Sequence, residues 1–259
     1  MEAFAPGSVT AVFAPAESGD ESRGASLAIE DGVVASVSDA EETVVTLDGT
    51  ATAFEPVEVL LDDLGVDARV DLTADLPVGC GFGASGAATL ATALAVDERF
   101  DLGATRDELV EASHRAEVAA GTGLGDVFIQ ESGGLVTSYG DGIRRYHRDD
   151  PVEYVSYGGI ATSDALGDPG LMAEVERVGG AVLDALPAEP SLTHLLDRSW
   201  EFARELGLPT DQVREAVADV EAAGGTASMA MLGETAFAVG VDGVLDERTR
   251  IAAEGARLL

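Results

Sequence analysis

The stretch that decides the fold reads Leu76-Pro77-Val78-Gly79-Cys80-Gly81-Phe82-Gly83-Ala84-Ser85-Gly86-Ala87, and an alanine-rich run over residues 88–95 follows it directly. Glycine lets the backbone adopt positive φ and approach a ligand closely. The first amides of a helix have no partners within it and attract anions. Upstream, Val70–Thr73 alternates apolar and polar residues as a strand does. The stretch therefore predicts a strand, a glycine loop and a helix, with a phosphate bound where the loop meets the helix.

Several kinds of phosphate loop contain such glycines. A Walker loop needs a lysine after its last glycine, but the chain contains no lysine, so all 15 of its basic residues are arginines. Gly81-x-Gly83-x-x-Gly86 also matches the dinucleotide fingerprint, which expects an acid at the end of a second strand about 20 residues on. That distance reaches Thr105-Arg106-Asp107, which is typical of a helix start. The Walker interpretation is excluded, whereas a dinucleotide loop and a glycine turn without a ligand remain alternatives.

Residues 77–87 resemble the phosphate loop of the GHMP small-molecule kinases. Ala5-Pro6-Gly7 resembles the N-terminal signature of that superfamily, and Ala227-Ser228-Met229-Ala230-Met231-Leu232-Gly233 lies where its third motif is expected. Three segments, residues 81–87, 122–127 and 228–233, are similar within the superfamily to the archaeal members that phosphorylate pantoate. The resemblance spans most of the chain, and its motifs occur in the expected order.

This resemblance implies an α+β, two-lobed GHMP-kinase-like fold. Residues 1–150 would form a β-rich N-terminal lobe that carries the phosphate loop and binds ATP, and residues 151–259 a helix-rich α+β C-terminal lobe. A polar link, Arg148-Asp149-Asp150-Pro151, would separate the lobes. The resemblance implies that ATP phosphates are bound by Pro77, Gly79, Gly81, Gly83, Ala84, Ser85, Gly86 and Ala87.

The resemblance also implies roles for two acids. Glu117 would hold Mg²⁺ together with Ser85, and Asp126 would orient or deprotonate the acceptor hydroxyl. Taken alone, each of these three residues has a simpler interpretation. Glu117 could be a solvated helix acid, Asp126 an N-cap of residues 127–129, and Ser85 a cap of its own helix. His114 lies three residues before Glu117, so both side chains are expected on one side of the same helix.

The acceptor carboxylate needs a donor, for which arginine is the natural bidentate partner. In the superfamily members that phosphorylate pantoate we expect an arginine on the strand after Gly133-Gly134, but Ser138 stands near that point. The remaining candidates for binding the acceptor are His114, Ser22, Arg23 and Arg144. Simpler alternatives are a surface histidine, an ordinary hairpin turn around residues 22–26, and a surface arginine.

Composition limits the possible partners. The chain of 259 residues has 48 acidic and 15 basic side chains, for a formal charge of −33. Such a charge repels nucleic acid and anionic membranes, so we expect neither as a partner. Acidic, lysine-free composition resembles that of cytosolic proteins of extreme halophiles, which predicts function at molar salt. The single cysteine, Cys80, excludes an internal disulfide framework, and no run of about 18 apolar residues occurs. We expect a cytoplasmic protein and, from the resemblance, a homodimer.

Patterning predicts short strands in the first third, with turns at Asp31-Gly32 and Asp48-Gly49. A capping-box pattern at Thr105 predicts a second helix after the glycine loop. Long amphipathic helices are expected over residues 171–186, 192–206 and 211–223, then two strands and a final helix over residues 246–259. The resemblance implies ATP- and Mg²⁺-dependent phosphorylation of pantoate on the archaeal route to coenzyme A. Alternatives are a homoserine, mevalonate or shikimate kinase, or a non-catalytic nucleotide-binding module.

Overall fold

The structure is a computed structural model that describes residues 1–15, 22–139, 142–159 and 166–259. Its strands are β1 (Glu2–Pro15), β2 (Ser22–Asp39), β3 (Val44–Leu47), β4 (Thr50–Ala51), β5 (Ala68–Ala74), β6 (Leu135–Ser138), β7 (Ile143–Tyr146), β8 (Pro151–Gly159), β9 (Thr226–Met229), β10 (Gly233–Val239), β11 (Glu247–Arg250) and β12 (Arg257–Leu258). Its helices are α1 (Glu55–Leu64), α2 (Ala84–Phe100), α3 (Arg106–Ala120), α4 (Asp126–Ser132), α5 (Pro169–Ala185), α6 (Leu192–Glu205) and α7 (Asp211–Ala222).

Two long strands organise the larger sheet, whose order is β12-β1-β2-β5-β3-β4. Strand β2 is long enough to pair with β5 through one half and with β6 through the other, and β6 pairs in turn with β7. Among the described strands only β3 and β5 run parallel. A smaller sheet of order β11-β8-β10-β9 completes the chain. An isolated bridge between Thr10 and Met231 joins the two sheets.

The helices divide between two hydrophobic cores. Buried residues of α1, α2 and α3 pack with β5 and the adjoining parts of β1 and β2. Buried residues of α5, α6 and α7 pack with the smaller sheet and with the remaining parts of β1 and β2. This mixture of antiparallel sheets and helices confirms the predicted α+β class. The division at residue 150 stays a prediction; β8 begins at Pro151, whereas β12 returns to the larger sheet.

The local signals around the glycine loop predict the structure well. Helix α2 follows the loop, and α3 begins behind Thr105 with both hydrogen bonds of a capping box. Helices α5 to α7 lie where amphipathic patterning predicts them, and Asp48-Gly49 forms a turn. Because α2 is followed by α3 rather than by a parallel strand, the βαβ unit that a dinucleotide fingerprint requires is missing from this part of the chain.

Two expectations of secondary structure are wrong, and one helix was not expected. The final helix predicted over residues 246–259 is replaced by β11 and β12, because pairing with β8 and β1 outweighs local helix propensity. Asp31-Gly32 is not a turn but lies within β2, where a Cβ on Gly32 would come within 2.2 Å of the Ala5 carbonyl oxygen. Helix α1 was not predicted, although Pro56 at its first turn and buried Val57 and Leu60 are ordinary helix signals.

Candidate active site

The glycine loop leaves the first amides of α2 open to a ligand. Gly79, Gly81 and Gly83 all have positive φ, the conformation that glycine adopts without a steric penalty. Gly83 is the N-cap of α2 and supplies no side chain to cap it. Unpaired amides and the helix dipole together favour an anion at this point. The loop therefore has the geometry of a phosphate site, at the end of a 17-residue helix.

The loop is held from behind by the smaller sheet. A Cβ on Gly233 would lie 2.1 Å from the Cys80 carbonyl oxygen, and one on Gly159 would lie 2.1 Å from the Gly79 carbonyl oxygen. The Thr235 hydroxyl donates to the Cys80 carbonyl at 2.8 Å. The start of β10 and the end of β8 thus fix the backbone of the glycine loop. This contact explains why the segment that ends at Gly233 occurs together with a phosphate loop in one chain.

A cleft of about 870 Å³ opens over the loop. Of the residues predicted to bind phosphate, Gly79, Gly81, Gly83, Ala84 and Ser85 line it. The other three do not: Pro77 precedes the loop, and Gly86 and Ala87 lie in the first turn of α2.

Glu117 projects from α3 toward the start of α2 and is only 2% exposed. Three hydroxyls donate to its carboxylate: Ser85 to Oε1 at 2.8 Å, Thr89 to Oε1 at 2.9 Å and Thr122 to Oε2 at 2.9 Å. Burial, with a smaller contribution from the nearby charge of Asp126, raises the pKa of Glu117 to about 7, although these hydrogen bonds act in the opposite direction. Glu117 is therefore not the solvated helix acid of the simpler interpretation, and Ser85 does not cap its helix but binds Glu117.

Asp126 is the first residue of α4, and Gly125 rather than Asp126 is the N-cap. The Ser8 hydroxyl donates to its Oδ1 at 2.8 Å. Burial raises the pKa of Asp126, and the hydrogen bond from Ser8 partly offsets that effect. The two acids meet at Gly123, because a Cβ placed there would lie 3.1 Å from Glu117 Oε2 and 3.4 Å from Asp126 Oδ2. Glycine at this position leaves room for both carboxylates.

The oxygen atoms of these two acids suit a Mg²⁺ ion that is bound jointly by the protein and by substrate phosphates. They do not suit a metal ion held by protein side chains alone. Among the described residues, no group of three or more His, Cys, Asp or Glu side chains could hold a metal ion. Mg²⁺ prefers oxygen ligands and is usually bound by one or two carboxylates together with substrate phosphates. Ser85, Glu117 and Asp126 offer such oxygens beside the phosphate loop. A cation there would also offset the burial of two neighbouring carboxylates.

The predicted acceptor residues do not all lie in the cleft. Ser22 lines it, and so does Ser138, whose strand β6 pairs with β2. Arg23 forms an ion pair with Asp184 at 3.0 Å. Arg144 lies exposed on β7, opposite Thr137. The structure therefore brings Ser22 to the cleft and places Arg23 and Arg144 outside its lining.

His114 is 6% exposed, and its ring lies 5.0 Å from that of Phe128, centroid to centroid. Phe128 lines the cleft, whereas His114 lies behind it. His114 is thus not the surface histidine of the simpler interpretation. Its Nδ1 atom is buried and has no hydrogen-bond partner in the part of the chain that the structure describes.

Sequence reasoning missed several polar residues of the cleft. Thr10 and Ser26 line it and share a hydrogen bond of 3.1 Å. Thr89 and Thr122 bind Glu117, and Ser8 binds Asp126. Thr122 lies inside the glycine-flanked segment that drew attention to Asp126, and Thr89 lies one helical turn after Ser85, so both had a local signal. The others are brought to the cleft only by sheet pairing.

Comparisons with known proteins agree with this geometry. Residues 51–134 match the model of the GHMP kinases N terminal domain. A solved structure described as a phosphotransferase related to the CoA biosynthesis pathway superposes with a TM-score of 0.85 and 25% identity, covering 99% of this chain and 97% of the other. A mevalonate kinase structure has the same fold, with a TM-score of 0.70 at 14% identity over 98% of this chain and all of the other. The chain therefore has the fold of the GHMP kinases, and residues 51–134 are similar to their N-terminal domain.

Within that superfamily, the chain is similar to proteins named pantoate kinase. The relative from Methanospirillum hungatei is 29% identical over 93% of this chain and 87% of its own length. The relative from Methanocaldococcus jannaschii is 27% identical over 96% of both chains. In the described part of the chain, no helix has the length and apolar character needed to cross a membrane.

Proposed function

We propose that this protein is a Mg²⁺-dependent kinase that transfers the γ-phosphoryl group of ATP to the hydroxyl of pantoate, giving 4-phosphopantoate for coenzyme A synthesis. The observation that carries the proposal is the meeting of two carboxylates, the buried one of Glu117 and the partly buried one of Asp126, at Gly123 beside the open amides of α2. Phosphoryl transfer needs phosphate donors, a metal and a carboxylate near the acceptor. The similarity to proteins named pantoate kinase is the reason for proposing pantoate as the acceptor.

The phosphate loop binds the nucleotide. Amides from Gly79 to Ser85 would surround the phosphates, and the dipole of α2 favours their negative charge. Since β8 and β10 hold the loop from behind, the donors are fixed before ATP binds, which reduces reorganisation during the reaction.

Ser85 and Glu117 would hold the metal. A Mg²⁺ ion held by these two side chains would neutralise negative charge on the phosphates during the transfer. Glu117 must be ionised for this role, and its raised pKa means that a cation is needed to favour the charged form. The hydroxyls of Thr89 and Thr122 keep the carboxylate oriented toward Ser85 and Gly123.

Asp126 would act on the acceptor. Its carboxylate orients the hydroxyl of pantoate toward the γ-phosphorus atom and accepts the hydroxyl proton as the new P–O bond forms. A raised pKa suits a group that must accept a proton.

Ser22, His114, Arg23 and Arg144 are proposed to bind the acceptor. Ser22 lines the cleft, and the buried ring of His114, whose Nδ1 has no hydrogen-bond partner among the described residues, packs against Phe128, which also lines the cleft. For Arg23 to reach the carboxylate it must exchange its partner Asp184, which is 73% exposed at the side chain. An exposed ion pair contributes about 0–1 kcal/mol to stability, so breaking the pair between Arg23 and Asp184 costs little free energy.

We further propose a cytoplasmic homodimer that works at molar salt and has neither nucleic acid nor membrane as a partner.

The test is ADP release at molar KCl with ATP and Mg²⁺, measured with pantoate, pantothenate, homoserine, mevalonate and shikimate. We expect turnover with pantoate. Asp126→Asn should lower kcat by about 10²–10⁴-fold and leave ATP binding intact. Asp63→Asn, an exposed acid paired with Arg115 away from the cleft, is the matched control and should keep wild-type activity.

The outcomes separate the alternatives. Preference for homoserine, mevalonate or shikimate would keep the chemistry and change the acceptor. ATP binding without turnover of any acceptor would indicate a non-catalytic nucleotide-binding module and end the kinase proposal. Full activity of Asp126→Asn would remove Asp126 from the base role.

A further inference from the structure

Ser8 connects the phosphate loop to the proposed catalytic acid. It lies in β1, where it is 1% exposed. Its backbone amide donates to the Phe82 carbonyl at 2.9 Å, and its hydroxyl donates to Asp126 Oδ1 at 2.8 Å. A single residue thus binds the loop through its backbone and the acid through its side chain.

Gln130 makes a second connection between the same two parts. It lies on α4, one turn after Asp126, and is 0% exposed. Its Nε2 donates to the Gly83 carbonyl at 2.6 Å and to the Ser8 hydroxyl at 3.4 Å. Since the Ser8 hydroxyl accepts from Gln130, its own proton is directed to Asp126. The donors therefore run in one direction, from the Gln130 amide through Ser8 to Asp126.

Two loop glycines make room for this chain of hydrogen bonds. A Cβ on Gly83 would lie 2.1 Å from the Ser8 hydroxyl oxygen and 2.8 Å from Gln130 Nε2. A Cβ on Gly86 would lie 2.8 Å from Gln130 Oε1. The spacing of glycines in the loop thus serves the approach of Ser8 and Gln130 as well as the binding of phosphate.

We propose that Ser8 and Gln130 are positioning residues that fix Asp126 Oδ1 to the phosphate loop, so that Oδ2 is the atom that faces the acceptor hydroxyl. Oδ1 is occupied by Ser8, whereas Oδ2 faces Gly123 and receives no hydrogen bond from the described residues. The inference rests on the proposed kinase function. Fixing the base and the phosphate donors in one hydrogen-bonded unit sets the distance between acceptor and γ-phosphate, on which the rate depends steeply.

The test compares steady-state kinetics and ATP dissociation constants of Ser8→Ala, Ser8→Cys and Gln130→Met. Ser8→Ala should lower kcat by about 10–100-fold while the ATP dissociation constant changes less than about threefold. Ser8→Cys, whose thiol is a weaker donor, should lie between wild type and Ser8→Ala. Gln130→Met should lower kcat about tenfold. The double variant Ser8→Ala/Gln130→Met should lose little more than Ser8→Ala, because both act through one chain of hydrogen bonds.

Ser199→Ala is the matched control. Ser199 is also a fully buried serine, and its hydroxyl donates to the Ala11 carbonyl of the same strand β1, outside the cleft. It should lose stability as Ser8→Ala does but keep wild-type kcat below its unfolding temperature. Wild-type kcat in Ser8→Ala, or additive losses in the double variant, would overturn the inference. Failure of the proposed function shows instead in the wild-type protein, which would then turn over none of the acceptors.

Discussion

Two buried glutamates in this molecule have opposite electrostatic surroundings. Glu117, on α3 beside the cleft, is 2% exposed, and Glu153 on β8 is 3% exposed. Burial acts to raise the pKa of both carboxylates. At Glu153 the amides of residues 243–245 and the charge of Arg248 outweigh it and hold the pKa below its usual value. At Glu117 three hydroxyls do not outweigh burial, and the pKa rises to about 7.

The difference teaches how a structural carboxylate differs from one that awaits a ligand. The protein itself provides the hydrogen-bond donors and the positive charge that the Glu153 carboxylate needs. Backbone amides of the loop after β10 donate to both of its oxygens, and Arg248 Nε lies 3.4 Å from Oε1. Glu117 forms no ion pair within the described residues and lies close to a second acid, Asp126. The fold therefore satisfies Glu153 completely and leaves Glu117 short of positive charge, which an incoming cation would provide.

Activity is expected to separate the two glutamates most strongly. Glu117→Gln keeps the shape and removes the charge, so we expect kcat to fall by about 10²–10³-fold with pantoate as acceptor. Glu153→Gln should retain kcat within a factor of about two, since neither Glu153 nor its partners, residues 243–245 and Arg248, line the cleft, whereas Ser85 and Thr122, which bind Glu117, do. Initial rates at saturating ATP and Mg²⁺ provide the measurement. Comparable losses in both variants would break the distinction between a functional and a structural acid.

Stability should respond in the opposite order. Glu153→Gln places an amide donor against backbone N–H groups, so the free energy of unfolding should fall by about 3 kcal/mol at pH 7. The folded pKa of Glu153 is lowered, so its contribution is present above the unfolded value and is lost as the pH falls through the folded pKa. Denaturant melts at pH 7 and at progressively lower pH should show the difference between variant and wild type shrinking. A constant difference would mean that lost packing, not charge, causes the effect.

Local sequence signals predicted the part of the site that is contiguous in the chain. The glycine loop, α2 and the capping box of α3 are each specified within about a dozen residues. The final segment was wrongly predicted to be a helix because its pairing with β8 and β1 involves residues about 100 to 250 positions away.

The hydrogen-bond partners of the acidic residues could not be predicted from the local sequence either. Ser8 and Asp126 are 118 positions apart, and nothing in the local sequence of either indicates the hydrogen bond between them. The opposite behaviour of Glu117 and Glu153 also depends on partners from distant elements, such as Ser85 and the amides of residues 243–245. The resemblance to the GHMP kinases identified Glu117 as a candidate metal ligand, but its raised pKa follows from burial, which only the fold determines.

The pH dependence of stability sharpens the comparison further. Without metal, the folded pKa of Glu117 lies above its unfolded value, so the folded state binds the extra proton between about pH 4.5 and 7. Stability from this group is therefore present at low pH and is lost as the pH rises to about 7. Glu117→Gln should remove that loss and stabilise the metal-free protein by on the order of 2 kcal/mol at pH 8, with little effect at pH 4.5. Melts in EDTA provide the measurement, and a variant less stable than wild type at pH 8 would contradict the raised pKa.

The smallest expected effect tests which donors hold Glu153. Arg248 is 59% exposed at its side chain, also pairs with Asp242 at 2.6 Å, and lies on the solvent side of Glu153. Exposed ion pairs contribute about 0–1 kcal/mol, so Arg248→Ala should lower the free energy of unfolding by less than about 1 kcal/mol at low salt, and by less still at molar KCl, where charges are screened. The backbone amides remain in this variant, so the pKa of Glu153 should stay below its usual value. Equal losses in Arg248→Ala and Glu153→Gln would show instead that the guanidinium, and not the loop backbone, satisfies this carboxylate, so that the contrast with Glu117 would reduce to the presence or absence of one arginine.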